Sequence, residues 1–253
     1  MKGHETLVEM LNAEGVEAMF SLLSEELMEV TMTAAADGPE VVQTRHEQSA
    51  VAMADGYSRT SDDIGVALVG RGPAVAQTGT ALTTAHNHGS NVLLIVATRP
   101  RSSFTDELNK GFRQETFLDS LLEHVLTVWS PETFVPSFAE AFRRLHADEG
   151  PVAVQVPWDV LGGDLGDAGE WRDPTIGTAR PESADAALQP DPAAVTAAAE
   201  RYEAADVSTP PVILAGAGAT DAAEAIEALA ERLNAVVVTT LQCRDFLADH
   251  PYS

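Results

Sequence analysis

The 253-residue sequence has very little positive charge. It contains 15 lysines and arginines against 39 aspartates and glutamates, and only Lys2 and Lys110 are lysines. The formal net charge of −24 repels nucleic acid and anionic lipid, so neither is an expected partner. The excess of acid fits a high-salt host or a GC-rich one, and composition does not separate the two.

Cysteine and long apolar runs are also scarce. Cys243 is the one cysteine, which excludes an internal disulfide and a cysteine-rich metal site, and we predict no metal ligands in this chain. No run of 18 apolar residues occurs, and the first five residues do not resemble a signal peptide. With 45% hydrophobic and 21% charged residues, the chain is expected to be a soluble, cytoplasmic globular protein.

Helical and strand patterns alternate over the first 160 residues. Apolar segments predict strands, and segments of helical periodicity lie between them. The predicted strands are 16–22, 41–44, 64–69, 92–97 and 152–156; the predicted helices are 6–13, 25–33, 47–59, a small-residue segment ending near 85, and 134–146. Continuous apolar strands separated by helices predict an α/β fold, with a parallel sheet flanked by helices on both faces.

The composition changes after residue 161. Residues 162–189 are rich in Gly, Asp, Ala and Pro without a period, which predicts an exposed linker. Residues 190–253 return to a helix–strand–helix–strand pattern, the beginning of a Rossmann-like domain whose two strands leave open sheet edges. We therefore predict a first domain over 1–161, a linker over 162–189, and the N-terminal part of a second α/β domain over 190–253.

One segment carries the chemistry. Residues 45–59 read RHEQSAVAMADGYSR. They resemble the Arg-His-Glu-x-x-Ala-x-x-Met-Ala-x-Gly-Tyr-x-Arg run of thiamine-diphosphate-dependent enzymes of the acetolactate synthase and 2-oxo-acid decarboxylase type. Shorter matches follow in that family's order at Gly72-Pro73, Gln114-Glu115, 150–160 and 211–218. The resemblance implies an N-terminal pyrimidine-binding domain followed by the start of a central domain.

The resemblance assigns the catalytic role to Glu47. In the family this carboxyl hydrogen-bonds N1′ of the cofactor's aminopyrimidine and favours its imino tautomer, whose nitrogen removes the thiazolium C2 proton. The task suits a carboxyl whose pKa is raised by burial. A helix N-terminus opposes this by about 0.3–1 kcal/mol, which desolvation outweighs. The alternative is a first-turn glutamate that only complements the helix dipole.

The resemblance implies further site residues. Gly72, Pro73 and Gln77 are expected near the cofactor, and His46, His86, His88 and Gln114 are candidates for the substrate pocket. For His46 and Gln114 the alternative is packing, and for the other two histidines it is a surface position. Two histidines two residues apart, without an accompanying carboxylate or cysteine motif, do not predict a metal site.

The sequence departs from the family pattern in two places. Ser21-Leu22-Leu23-Ser24 stands where the family has a Gly-x-Pro-Gly loop. The family's Gly-Asp-Gly stretch and its asparagine, which hold Mg²⁺ and the cofactor's diphosphate, are not found. The resemblance therefore implies that a partner chain holds Mg²⁺ and the diphosphate. Some relatives bind FAD in the central domain, and the part of that domain present here leaves FAD open.

These features lead to one expected function and two alternatives. The expected function is one subunit of a split thiamine-diphosphate-dependent 2-oxo-acid decarboxylase or carboligase, active only with a partner chain in a hetero-oligomer built on a dimer. A non-catalytic or regulatory remnant of the fold is the first alternative, favoured by the altered loop. The second is a truncated piece of a full-length enzyme like acetolactate synthase.

Overall fold

A computed structural model describes residues 1–61, 63–103, 110–169, 190–204 and 209–243. These residues form two compact units, one within Met1–Ala186 and the other within Ala187–Ser253. Within the described ranges, no helix is long and apolar enough to cross a membrane.

The first unit is built on a six-stranded sheet in which every neighbouring pair of strands is parallel. The spatial order is β2-β1-β3-β4-β6-β5. The strands are β1 (Ala18–Ser21), β2 (Glu40–Gln43), β3 (Gly65–Val69), β4 (Val92–Thr98), β5 (His124–Thr127) and β6 (Val152–Pro157).

Helices cover both faces of this sheet. They are α1 (Gly3–Ala13), α2 (Met28–Asp37), α3 (Glu47–Ser61), α4 (Pro73–Ala76), α5 (Gly79–His88), α6 (Gln114–Asp119), α7 (Pro131–His146) and α8 (Trp158–Leu161). Residues of α1, α2 and α7 form one apolar core cluster with the sheet. Residues of α3, α5 and α6 form a second cluster. The sheet therefore lies between two helical layers.

The side chains of β3 explain this arrangement. Successive side chains of a strand point to opposite faces of a sheet. Val66 and Leu68 belong to one core cluster, Ala67 and Val69 belong to the other, and all four are fully buried. A strand that is apolar at every position needs cover on both sides. The predicted α/β fold with a parallel, doubly covered sheet is confirmed.

Three helices and strands of the first unit have no counterpart among the predictions, namely α6, β5 and the four-residue α8. Helix α6 and strand β5 lie between residues 114 and 127, and β5 is the edge strand beside β6. All four residues of β5 are only half-buried, which removes the continuous apolar signal that identifies the central strands. This edge strand is therefore harder to predict from the sequence than the central strands.

The first eight residues of the predicted linker are packed against the first unit. The Gly3 N–H donates to the Gly163 carbonyl at 3.0 Å, and the Thr6 hydroxyl donates to the Gly169 carbonyl at 3.3 Å. Leu165 is 4% exposed and belongs to the core. The packed domain therefore extends through residue 169, and the rest of the predicted linker, 170–189, lies outside the described residues.

The second unit contains two helices and a two-stranded parallel sheet. They are α9 (Pro192–Glu203), β7 (Val212–Ala215), α10 (Ala223–Leu233) and β8 (Val236–Thr239). The elements match the predicted helix–strand–helix–strand order. Alternate apolar side chains of the strands, among them Leu214 and Val238, are exposed.

Candidate functional site

The site is built on the carboxyl edge of the first unit's sheet. We use this name for the edge at which the parallel strands end, where ligands of open α/β sheets bind. Glu47 follows β2, Glu26 follows β1, and Arg71 follows β3. Because all strands are parallel, these side chains come from the same edge although they are distant in sequence.

Glu47 is the first residue of α3, the helix that follows edge strand β2. Its side chain is half-buried. Within the described ranges, it makes no hydrogen bond and no ion pair. The carboxylate is therefore available to a ligand or to another surface.

His46 has a local structural role. The Gln48 N–H donates to the His46 Nδ1 at 3.1 Å, and the His46 carbonyl accepts from the N–H groups of Ser49 and Ala50. His46 therefore satisfies first-turn amides of α3, as a capping residue does. The ring is exposed. These contacts give His46 a structural role, and its place in a substrate pocket stays a prediction.

Gly72 and Pro73 lie at the end of β3, on the carboxyl edge. Gly72 has a φ of +66°, and a β-carbon there would lie 2.3 Å from the Lys110 carbonyl oxygen. Only glycine fits a position with both constraints. Pro73 begins α4, and the exposed Gln77 ends it. The Gly72 backbone is thus occupied by packing against Lys110, while Pro73 and Gln77 remain accessible.

Gln114 is the centre of a hydrogen-bonded group of amides. Its Oε1 accepts from the Gly72 N–H at 3.0 Å, and its Nε2 donates to the Ala97 carbonyl and to the Gln155 Oε1, each at 3.1 Å. The Gln155 Nε2 in turn donates to the Thr127 hydroxyl at 3.2 Å. We call Gln114, Gln155 and Thr127 the glutamine network. It joins the ends of β3, β4, β5 and β6.

Glu26 is a buried acid on the same edge. Its side chain is 1% exposed, and its Oε1 accepts from the Arg71 Nε at 2.9 Å and from the Lys110 ammonium. Burial by itself raises the pKa of Glu26, but the hydrogen bonds from Lys110 and Arg71 outweigh burial and lower it. Glu26 is therefore a carboxylate that ties the loops after β1 and β3 to residue 110.

The altered loop after β1 leaves polar atoms without partners. The hydroxyl oxygens of Ser21 and Ser24 and the Oε2 of Glu26 are buried, and none has a hydrogen-bond partner among the residues that the structure describes. Ser24 packs against Gly70, where an added β-carbon would lie 3.1 Å from the Ser24 hydroxyl. Ser24 therefore occupies space beside β3 that a smaller residue would leave open.

The carboxyl edge also contains a cavity of about 920 Å³ over the ends of β4, β5 and β6. We call it the cationic cavity because five basic side chains line it. These are Arg71, Arg99, Arg101, Lys110 and Arg113. Gln114 and Gln155 contribute amides, and Phe112 and Trp129 contribute apolar surface. Glu47 does not line this cavity.

His86 and His88 lie at the amino edge of the sheet, where the parallel strands begin. They end α5, and the chain then enters the amino end of β4. Two contacts place the end of α5 beside the amino ends of neighbouring strands. A β-carbon on Gly150, which precedes β6, would lie 4.0 Å from the Gly89 Cα. The Asn91 carbonyl accepts from the Gly65 N–H at the start of β3. A helix that follows a parallel strand returns to the amino edge, so this placement does not support a substrate-pocket role for either histidine.

The carboxyl edge fits one half of thiamine diphosphate. Glu47 offers an unpartnered carboxylate at the end of a strand, which suits a proton shared with a pyrimidine nitrogen. For the metal, the described part of the chain contains no group of three or more His, Cys, Asp or Glu side chains that could hold an ion. The described residues therefore identify no Mg²⁺ site.

Sequence reasoning missed Glu26 and the basic lining of the cavity. Arg71 and Arg99 follow within two residues of the ends of β3 and β4, so the rule that sites form at the carboxyl ends of parallel strands would have identified both. Glu26 gave no such signal, because its partner Lys110 lies 84 residues away in the chain. Gln114 was identified only through its family motif.

Comparison with known proteins identifies the first unit. Residues 1–121 match the family described as "Thiamine pyrophosphate enzyme, N-terminal TPP binding domain". The matched region contains Glu47, Glu26, Gly72 and Gln114, and therefore most of the carboxyl edge.

Three curated relatives extend the match. A Pseudomonas aeruginosa protein named "Probable 2-ketoarginine decarboxylase AruI" is 32% identical over 256 residues, 96% of this chain and 42% of that protein. Sulfoacetaldehyde acetyltransferase of Castellaniella defragrans is 30% identical over 256 residues, 99% of this chain and 40% of that protein. 2-hydroxyacyl-CoA lyase 2 of Caenorhabditis elegans is 32% identical over 160 residues, 63% of this chain and 25% of that protein.

The chain spans less than half the length of these relatives. The three names describe a decarboxylase, an acetyltransferase and a lyase, so the shared part does not by itself specify one substrate. Because residues 1–121 match this family, the fold is a parallel α/β fold and these relatives extend the match, the chain belongs to the superfamily of thiamine-diphosphate-dependent enzymes.

Proposed function

We propose that this chain is the pyrimidine-activating part of a thiamine-diphosphate-dependent 2-oxo-acid decarboxylase or carboligase. The observation that carries the proposal is the Glu47 carboxylate, which begins α3 at the carboxyl edge and has no hydrogen bond or ion pair within the described ranges. It lies within the part of the chain that matches the thiamine pyrophosphate family.

When bound, thiamine diphosphate would supply the carbon nucleophile for reaction with a 2-oxo acid. The Glu47 carboxyl shares a proton with N1′ of the pyrimidine and so sets the protonation of that ring. Covering Glu47 from water at this position strengthens the hydrogen bond. Pro73 and Gln77 lie on the same edge and contribute contact surface for the cofactor.

A partner chain completes the site in this proposal. It supplies the ligands of Mg²⁺ and of the diphosphate, and it covers the half-buried Glu47. The assembly is a hetero-oligomer in which the site lies between chains. The assembly would release CO2 from a 2-oxo acid and would then form either an aldehyde, by protonation of the acyl carbanion equivalent, or a ligation product, by its transfer to an acceptor.

The test of the proposal is the exchange rate of the cofactor's C2 proton with deuterium, followed by NMR. The chain is purified from its host with whatever polypeptide binds it and is loaded with thiamine diphosphate and Mg²⁺. We expect Glu47→Gln to slow the exchange by roughly 10²–10⁴-fold, because the amide does not share a proton with N1′ as a carboxyl does.

Glu25→Gln is the matched control. Glu25 is an exposed glutamate at the start of the 3-10 helix after β1, so it also lies at the carboxyl edge. Its substitution should leave the exchange rate within about twofold. An exchange rate that Glu47→Gln leaves unchanged would eliminate the proposed role and favour a non-catalytic module of the same fold.

A further inference from the structure

The cationic cavity has the opposite charge from the rest of the chain. The sequence contains 39 acidic and 15 basic residues, yet five basic side chains line this one cavity. Among its described lining residues, Glu115 is the single acid. A concave surface of one sign raises the local concentration of ligands of the opposite sign. The cavity therefore attracts anions to a protein that otherwise repels them.

Some of these basic groups are held by neighbouring carboxylates. The Arg101 Nε donates to the Asp159 carboxylate at 2.8 Å, and Lys110 is bound to Glu26. Arg113 differs from them, because its side chain is exposed and its guanidinium makes no hydrogen bond or ion pair within the described ranges. Its backbone adjoins Gln114, whose side chain is fixed by three hydrogen bonds.

The remaining lining specifies the shape of the ligand. The cavity volume of about 920 Å³ lies in the range of roughly 300–1,000 Å³ that is usual for small-molecule sites. Phe112 and Trp129, which are exposed, offer apolar contacts for a short hydrocarbon chain. A guanidinium binds a carboxylate or a sulfonate through paired hydrogen bonds.

We infer that the cationic cavity binds 2-oxo acids that carry a second anionic group, with Arg113 as the residue that recognises that group. This inference rests on the proposed function for the identity of the 2-oxo acid. A substrate with an uncharged tail would leave the Arg113 guanidinium without a partner and would gain only the apolar contacts. Arg113 is thus a specificity-determining residue.

The probes are 2-oxoglutarate and 2-oxopentanoate, which have the same five-carbon skeleton and differ in the terminal carboxylate. Binding to the purified chain is measured by saturation-transfer difference NMR on the ligand's methylene protons, with no cofactor added. We expect 2-oxoglutarate to bind roughly tenfold more tightly, as one charge-assisted hydrogen bond provides. Added salt should reduce this preference, because it screens the attraction.

Arg113→Gln should reduce the preference to near unity. Arg143→Gln is the matched control, because Arg143 is an exposed arginine that does not line the cavity and pairs with Glu140 instead. It should leave the tenfold preference intact. Equal binding of the two acids by the wild-type chain would overturn the inference, as would an Arg113→Gln variant that keeps the full preference.

Glutarate separates a 2-oxo-acid site from a general dianion site. We expect it to bind more weakly than 2-oxoglutarate, and equal binding would overturn the assignment of a 2-oxo acid. Failure of the proposed function can be distinguished from failure of this inference. In that case C2 exchange would not depend on Glu47, while the binding preference for 2-oxoglutarate would be unchanged.

Discussion

The carboxyl edge of the sheet has two regions of different construction. At the end of β2, the Glu47 carboxylate is half-buried and has no partner within the described ranges. Toward β4, β5 and β6, the side chains of Gln114 and Gln155 are tied into one network. This chain therefore organises the cavity with its own residues. The glutamate region, by contrast, is available for a cofactor and for another surface to cover.

The difference is one of satisfied and unsatisfied polar groups. A buried polar group is normally hydrogen-bonded, since leaving it unpaired costs about 1–3 kcal/mol. Gln155 is 2% exposed and both ends of its amide are paired. Glu47 avoids this cost in the single chain by remaining partly hydrated. The proposed partner would have to supply the hydrogen bonds that replace water there.

The two regions should differ most in how much a glutamate contributes to the free energy of unfolding. The two glutamates are Glu26, which pairs with cations of the cavity lining, and Glu47 at the end of β2. Glu26→Ala should lower the free energy of unfolding by about 3 kcal/mol, because it takes a carboxylate from a nearly buried Arg71. The value is at the low end of the usual range because the Lys110 side chain is 36% exposed and stays hydrated. Glu47→Ala should change it by no more than about 0.5 kcal/mol. Urea unfolding followed by tryptophan fluorescence measures both.

Glu25→Ala is the control for the Glu26 substitution. It removes an exposed glutamate from the same 3-10 helix, so a general effect of the loop would appear in both variants. If Glu47→Ala destabilised the chain as much as Glu26→Ala, the contrast between the two regions would be lost.

The next largest effect is expected in the glutamine network. Gln114→Ala should cost about 2 kcal/mol in unfolding free energy, because it leaves the Gly72 N–H, the Ala97 carbonyl and the Gln155 amide without their partner. Glu115→Ala changes the adjacent exposed residue and should be neutral within about 0.5 kcal/mol. Equal unfolding midpoints for the two variants would show that the network does not hold the cavity together.

The sequence predicted the central strands β3 and β4 better than the edge strand β5. Strands β3 and β4 are continuous apolar runs, and their predicted limits lie within one residue of the observed ones. Strand β5 has His124 and Thr127 at its ends and no buried position, so neither burial nor alternation distinguishes it from a loop. Tertiary pairing with β6 stabilises it, and a single-sequence pattern does not contain that information.

Helix limits were missed for local reasons that are visible afterwards. Helix α7 begins at Pro131, three residues before the predicted start, because the Ser130 N–H donates to the Thr133 hydroxyl and a proline occupies the first turn. The small-residue helix is interrupted near Thr78, whose hydroxyl donates to the Val75 carbonyl. Both signals were present in the sequence and were masked by the apolar periodicity.

The candidate site was predictable only where a motif marks it. Glu47 and Gln114 belong to motifs of contiguous residues, and both lie on the carboxyl edge. His86 and His88 stand where the sequence does not match a family motif, and the direction of α5 carries them to the amino edge of the sheet. Glu26 meets Lys110 only through folding. Residue type therefore needs the direction of the chain before it indicates a site.

The smallest effect is expected for an ion pair remote from either region, which provides a baseline. Glu140 lies on α7, and its hydrogen bond with Arg143, together with the charges of Arg143 and Arg144, lowers its pKa from 4.5 to about 2 despite partial burial. The folded state therefore binds this proton less readily than the unfolded state. Its stabilising contribution is complete above pH 4.5 and disappears as the pH falls toward 2.

Because the Glu140 side chain is 34% exposed, solvent screens the pair, and Glu140→Gln should cost less than about 1 kcal/mol at neutral pH. Urea unfolding of the wild type and of this variant, repeated from pH 7 down to the acid limit of folding, should give curves that converge below pH 4.5. Glu26→Ala at neutral pH should exceed this baseline about threefold, because the Glu26 carboxylate is buried with its cations. A loss at residue 140 as large as that at residue 26 would mean that burial at the carboxyl edge adds nothing to an ion pair, and the distinction between the two kinds of carboxylate would fail.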